Sequence, residues 1–218
     1  MNPSAQIDDY FSLVAETLDK LDRESISKFV DLVLEVCDNG GTIFVFGNGG
    51  SGATASHLCG DFVKGISYGS KKKLKVICLN DNIPALMAIA NDVSYDDIFL
   101  EQIKNFLKKD DLVIGISGSG NSPNVVKAIE YANTIGAKTV AFCGFSGGSI
   151  KQLASLAIHV DIDNMEVAED VHLIIAHCVK NIIIKKFESE VFVNDVGLKA
   201  GEGIRTLDVQ LGKLTFYH

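Results

Sequence analysis

The chain has 218 residues, 47% of them hydrophobic, enough to bury one substantial core. Its net charge of −8 argues against a nucleic-acid partner, because phosphate backbones are held by clustered Lys and Arg. No stretch reaches the roughly 18 uninterrupted apolar residues of a membrane-spanning helix, and Met1 to Tyr10 lacks the basic flank and long apolar run of a secretory signal, so a cytoplasmic protein without membrane contact is expected.

From Asn2 to Val36, apolar residues recur at helical spacing: Phe11, Leu13, Val14, Leu18 and Leu21, then Ile26, Phe29, Val30, Leu32, Val33 and Val36. Two helices are predicted, with a break near Asp22 to Glu24. Five short apolar segments follow, Thr42–Phe46, Leu74–Leu79, Leu112–Ile116, Thr139–Cys143 and Ala157–Val160, each separated by a stretch of helical length. Near-continuous apolar strands alternating with helices predict an α/β chain whose parallel sheet is covered on both faces. A last helix is predicted over Val167–Lys186, with Val171, Ile174, Ile175, Cys178, Val179 and Ile182 as its apolar stripe and Glu169, His172 and His177 on the other face. Beyond Phe187 the pattern is interrupted by Gly197, Gly201, Gly203 and Gly212, so residues 1–188 are expected to form a single domain and 189–218 an irregular tail. The segment from Gly201 resembles a reading frame running into a transfer-RNA gene and is expected to carry no function; an oligomerisation arm is the alternative.

Cys37, Cys59, Cys78, Cys143 and Cys178 sit singly in apolar segments with no CxxC spacing, and read as buried, reduced thiols. The one basic cluster, Lys71-Lys72-Lys73, reads as a solvated strand entrance.

Two loops carry the chemistry. Gly47-Asn48-Gly49-Gly50-Ser51-Gly52 follows the first predicted strand and opens a helix. Glycines let backbone approach a ligand, and a helix N-terminus presents free N–H groups to an anion. The dinucleotide fingerprint GxGxxG is not matched, for want of its spacing and acidic follow-up. Ser117-Gly118-Ser119-Gly120-Asn121-Ser122-Pro123 repeats the arrangement after the third strand, offering three hydroxyls and a proline suited to a first helical turn. Either loop alone could be an ordinary helix cap. Two of them at the carboxyl ends of parallel strands point to a ligand crevice that binds a phosphate.

In that order, Gly47-Asn-Gly-Gly-Ser51, Ala90-Asn91-Asp92 and Ile116-Ser-Gly-Ser-Gly-Asn-Ser122 resemble the phosphoheptose isomerase family of sugar isomerase (SIS) domains, over about Ile7 to Phe187. The resemblance implies a leading helical segment, a three-layer, five-stranded parallel flavodoxin-like sheet, and a homotetramer with sites at subunit junctions. It further implies that Ser117, Gly118, Ser119 and Ser122 bind the phosphate of a small sugar phosphate, while Asn48, Gly49, Gly50, Ser51, Asp92 and Glu169 contact the substrate.

Spacing supplies the rest of the site. His57 and Asp61 are four apart on one predicted helix, and Glu169 and His177 eight apart on another, so each pair shares a face. Imidazole and carboxylate oxygen suit a divalent ion such as Zn²⁺, and the resemblance implies a metal site at His57, Asp61, Glu169 and His177. Asp61 stands where those isomerases typically carry Glu, and Glu169 where they commonly carry Gln. The implied reaction converts a ketose phosphate to an aldose phosphate through an enediol, with D-sedoheptulose 7-phosphate as the leading substrate, Asp61 as base, His177 as its acid/base partner and the metal as polarising centre. The structural alternatives are a His57 that caps or packs beneath the loop and a solvated Asp61 paired with Lys64; His172 is expected behind the site residues or at an interface. At the level of function the alternatives are an isomerase of another phosphosugar and a non-catalytic adaptor similar to the replication-initiator-associating proteins, which tend to lose the acid/base pair.

Overall fold

The computed structural model describes residues 3–199. The chain opens with two helices, α1 (Pro3–Asp19) and α2 (Arg23–Asp38), where the apolar spacing predicts them. Asp22 accepts a hydrogen bond from the Glu24 N–H at 3.0 Å and so starts α2 at the expected break. Strands β1 (Thr42–Gly47), β2 (Lys75–Cys78), β3 (Leu112–Ser117), β4 (Lys138–Cys143) and β5 (Leu156–His159) coincide with the five predicted segments to within a residue or two. They form one parallel sheet in the order β2-β1-β3-β4-β5.

The near-continuous apolar strands follow from cover on both faces. Ile43 and Val45 of β1 point into one core, with Phe29, Val33 and helices α3 (Gly49–Gly60) and α8 (Met165–Lys199). Phe44 and Phe46 point into the other, against α5 (Leu100–Ile103), α6 (Pro123–Ile135) and α7 (Gly148–Leu153). Helix α4 (Ile83–Asp92) buries none of its residues, although it is mostly apolar. No helix among the described residues is long and apolar enough to cross a membrane.

Several expectations need correction. Helix α8 continues through Lys199, so the first part of the expected irregular tail is helical, and residues 200–218 lie outside the described residues. Ile174, assigned to the apolar stripe, is 40% exposed. Cys178 is exposed and Cys37 and Cys59 half-buried, leaving only Cys78 and Cys143 as buried thiols. Burial pushes the Cys59 and Cys143 thiols up to about 11, which keeps both protonated and unreactive near neutrality.

Candidate active site

Strands β1 and β3 are neighbours, with Gly47 opposite Ile116. The chain leaves β1 for α3 on one face of the sheet and leaves β3 for α6 on the other. A crevice opens outside the carboxyl ends of strands at such a divergence, and both helix N-termini face it. Neither N-cap residue, Asn48 of α3 or Ser122 of α6, makes a side-chain cap hydrogen bond, so both side chains are available for other partners.

In the second loop, the hydroxyls of Ser117 and Ser122 lie 3.1 Å apart. The Gly120 N–H donates to Ser117 Oγ at 3.2 Å, and the Asn121 N–H donates to Ser119 Oγ at 3.3 Å. Gly120 has φ +69°, and a Cβ there would overlap the carbonyl of Gly147. That contact comes from a third Gly/Ser loop, Gly144 to Ser149, which follows β4. The Gly144 N–H donates to the Gly118 carbonyl at 2.8 Å, and the Ser149 N–H to Asn121 Oδ1 at 2.9 Å. The loop after β3 is thus braced from behind while Ser119 stays exposed.

The first loop is engaged differently. Asn48 and Asn124 exchange side-chain hydrogen bonds of 2.9 and 3.0 Å, and the Tyr95 hydroxyl donates to Asn48 Oδ1 at 3.2 Å. Asn48 therefore ties the two loops together. Ser51 Oγ lies 3.5 Å from Glu169 Oε1, and the Glu169 carboxylate lies so close over Gly50 that a Cβ there would overlap it. Asp92 ends α4 exposed, accepting from Asn91 Nδ2 at 2.7 Å, and no described contact links it to the other site residues.

The helical spacing of His57 and Asp61, and the position of His177 on α8, bring three donors together. His57 Nε2 and His177 Nε2 face each other at 2.9 Å, and Asp61 Oδ2 lies 3.5 Å from the first and 3.6 Å from the second. Asp61 Oδ2 is buried without a hydrogen-bond partner. The edges of this triangle bracket the separation of about 3.3 Å between ligand atoms on a tetrahedral zinc, and three protein donors leave one position open. An orphaned acceptor facing two ring nitrogens fits a divalent cation. Glu169 is not in this cluster, because its carboxylate is directed to Gly50 and Ser51. Asp61 opens a π-helical turn, Asp61–Ile66, and pairs not with Lys64 but with Lys180, whose ammonium donates to Oδ1 at 2.6 Å. Lys64 instead lies over the Tyr68 ring.

His172, expected behind the site residues or at an interface, is fully buried, with its ring edge-on to Phe142 and facing the backbone of Cys143. Burial pushes its pKa down to about 4, so it is neutral near neutrality. A cavity of about 440 Å³ lies between the π turn and α8, walled by Tyr68, Ile184 and Phe187, and includes none of the His57, Asp61 or His177 side chains.

Sequence reading missed Tyr95, Asn124, Lys180 and the third loop. Two of these had a local signal: Lys180 follows His177 by three residues on one helical face, and Gly144-Phe-Ser-Gly-Gly-Ser149 repeats the Gly/Ser composition after a strand.

The family model described as SIS domain matches residues 9–144. The chain is 39% identical over 171 residues to a protein of Thermoplasma acidophilum named "Probable phosphoheptose isomerase", covering 77% of this chain and 91% of that one. It is 37% identical over 165 residues to a phosphoheptose isomerase of Helicobacter pylori, covering 76% and 85%. Among solved structures, that of a phosphoheptose isomerase from Francisella tularensis superposes with a TM-score of 0.79 at 27% identity, covering 85% of this chain and 100% of that one.

Proposed function

This chain belongs to the SIS domain family and, within it, to the phosphoheptose isomerases, and we propose that it interconverts D-sedoheptulose 7-phosphate and D-glycero-D-manno-heptose 7-phosphate through an enediol. The observation that carries the chemical reading is the buried, unpartnered Oδ2 of Asp61, held within 3.6 Å of both facing imidazole nitrogens.

Isomerisation needs a base that takes a proton from one carbon and an acid that serves the adjacent oxygen. Asp61 Oδ2 is the base, because it is an acceptor that no protein group satisfies. His177 Nε2 is the acid/base partner beside it. The hydroxyls of Ser117, Ser119 and Ser122, with the N-terminus of α6, hold the phosphate and fix the distance from that end of the sugar to the reacting carbons. Asn48, locked to Asn124, keeps the two loops in register, and Ser51 and Glu169 line the sugar between them.

His57, Asp61 and His177 would hold Zn²⁺, which when bound polarises the substrate carbonyl and stabilises the charge that develops on it. Asp61 Oδ2 and His177 Nε2 belong to both the proton-transfer site and the metal site. An imidazole nitrogen bound to Zn²⁺ has no lone pair left for a proton, so at any moment these atoms would serve one use or the other, and the dependence of turnover on Zn²⁺ tells which one the reaction needs. Glu169 is left to the substrate rather than to the metal.

A homotetramer is supported by apolar surface on the outward faces of two helices: Ile83 and Met87 of α4 are 58% and 68% exposed, and Ile7 and Phe11 of α1 52% and 66%. Free cysteines and a phosphorylated metabolite as substrate support a cytoplasmic setting.

The test is turnover of D-sedoheptulose 7-phosphate by the purified chain with and without added Zn²⁺, beside Asp61→Ala and His177→Ala. Metal-dependent turnover lost in both variants is the expected result. Phosphosugar binding without turnover would replace this reading by a different sugar substrate or by a non-catalytic adaptor.

A further inference from the structure

Asp61 has two oxygens and they have different surroundings. Oδ1 takes the Lys180 ammonium at 2.6 Å, while Oδ2 is turned to His57 and His177 with no hydrogen bond of its own. Both partners of the ion pair are largely buried, their side chains 25% and 17% exposed, so solvent does not loosen it as it would a surface pair. Lys180 stands three residues after His177 on α8, close to one face of the helix, and its stem crosses to the turn that begins with Asp61.

That crossing needs a gap. A Cβ on Gly65 would lie 2.6 Å from Lys180 Cε and 3.1 Å from Nζ, so the stem runs through the space that a side chain at 65 would fill. Gly65 lies in the π-helical turn that starts at Asp61, and an extra residue per turn re-aims the side chains at its start. The π turn, the missing side chain at 65 and the Lys180 ammonium therefore act on one carboxylate.

We propose that Lys180 is a positioning residue for the isomerisation: it pins Asp61 Oδ1 and thereby fixes Oδ2 between the two histidines. A free aspartate rotates about two side-chain bonds and could present either oxygen or turn away. With one oxygen held by a cation, the other has a single location. This gives a physical account of how an aspartate serves where the resemblance leads one to expect the longer glutamate. The inference rests on the reading of Asp61 as base and metal donor given above.

Its test uses the full chain and three variants: Lys180→Met, which removes the ammonium, Lys180→Arg, which keeps a cation, and Gly65→Ala, which keeps the lysine but fills its path. Two readouts are taken, steady-state turnover of D-sedoheptulose 7-phosphate and calorimetric titration with Zn²⁺ alone. Lys180→Met is expected to lower kcat by tenfold or more with KM within about threefold, and to weaken zinc binding by about 10- to 100-fold, the usual loss when the partner of a metal-holding group is removed. Gly65→Ala should reproduce both changes in the same direction, and Lys180→Arg should restore most of each.

Zinc bound more tightly by Lys180→Met would overturn the proposal, since it would mean that Lys180 acts only as a repelling charge. A rise in KM and in the inhibition constant of inorganic phosphate, with kcat unchanged, would overturn it in favour of direct phosphate binding. Equal thermal destabilisation of all three variants with kcat and zinc affinity intact would reduce Lys180 to a structural ion pair. Absence of turnover in the unsubstituted chain would end the isomerase reading and leave the zinc titration to judge Lys180.

Discussion

The two loops that follow β1 and β3 have similar composition and the same place relative to a helix, yet their surroundings differ. The loop from Gly47 to Gly52 lies under the Glu169 carboxylate, and its one amide side chain is committed to Asn124 and Tyr95. The loop from Ser117 to Ser122 keeps its hydroxyls clear of carboxylates among the described residues and rests on a third loop behind it. A carboxylate at a helix N-terminus already occupies the favourable potential there, so of the two loops the one after β3 is the better suited to the phosphate of the proposed reaction. Composition does not separate the two loops, and only their neighbours do.

The sharpest way to break this comparison is to exchange glycine for alanine in each loop. Gly120→Ala should destabilise the fold by about 3 kcal/mol or more, because it combines a left-handed backbone with overlap against the Gly147 carbonyl. Gly49→Ala, at φ +53° with nothing within 4 Å of its Cβ, should lose only about 1 kcal/mol. Thermal or urea unfolding measures both, and equal losses would refute the idea that Gly120 is wedged against its neighbour loop while Gly49 faces open space.

The support beneath the second loop also predicts a pH dependence. His172 packs against β4, whose end at Cys143 leads into the loop that braces Gly120. Its folded pKa of about 4 lies below the ordinary value of 6.5, so the unfolded chain takes up the proton first as pH falls. The contribution of neutral His172 is complete above pH 6.5 and is lost as pH falls from 6.5 towards 4, by up to about 3 kcal/mol. Urea midpoints measured across that range should decline, and His172→Leu should flatten the decline.

A smaller effect should separate binding from folding. Ser122 makes no cap hydrogen bond, so Ser122→Ala should change stability by less than about 0.5 kcal/mol while raising KM and the inhibition constant of inorganic phosphate about tenfold. A stability loss of the size typical for a lost cap, with KM unchanged, would make the serine structural.

The smallest effect concerns the carboxylate. Glu169→Gln should tighten inorganic phosphate by a few-fold as a like charge leaves the crevice, and added salt should shrink the difference. Unchanged phosphate affinity at low salt would show that Glu169 does not direct the anion.

Much of this was legible in the residues themselves. The five strands and the two leading helices were, because apolar periodicity is a local signal, and so were the two loops, because Gly and Ser after a strand mark a turn into a helix. His57 and Asp61 were legible as a pair through their spacing on one helix. The buried state of His172 was not, since a histidine gives no local sign of which side of a long helix faces the core when the apolar stripe is broad.

By itself the sequence determined the parallel sheet, the two helix-opening loops and the His57 and Asp61 pair on one helical face, all of which depend on neighbours a few positions apart. Tertiary structure alone decided the partners of those residues. Lys180 meets Asp61 across 119 positions, Glu169 meets Ser51 across 118, and Asn48 meets Asn124 across 76. Such contacts depend on the reach and rotation of side chains brought together by packing, and a gap the size of a missing Cβ, as at Gly65, is enough to decide which lysine reaches the carboxylate.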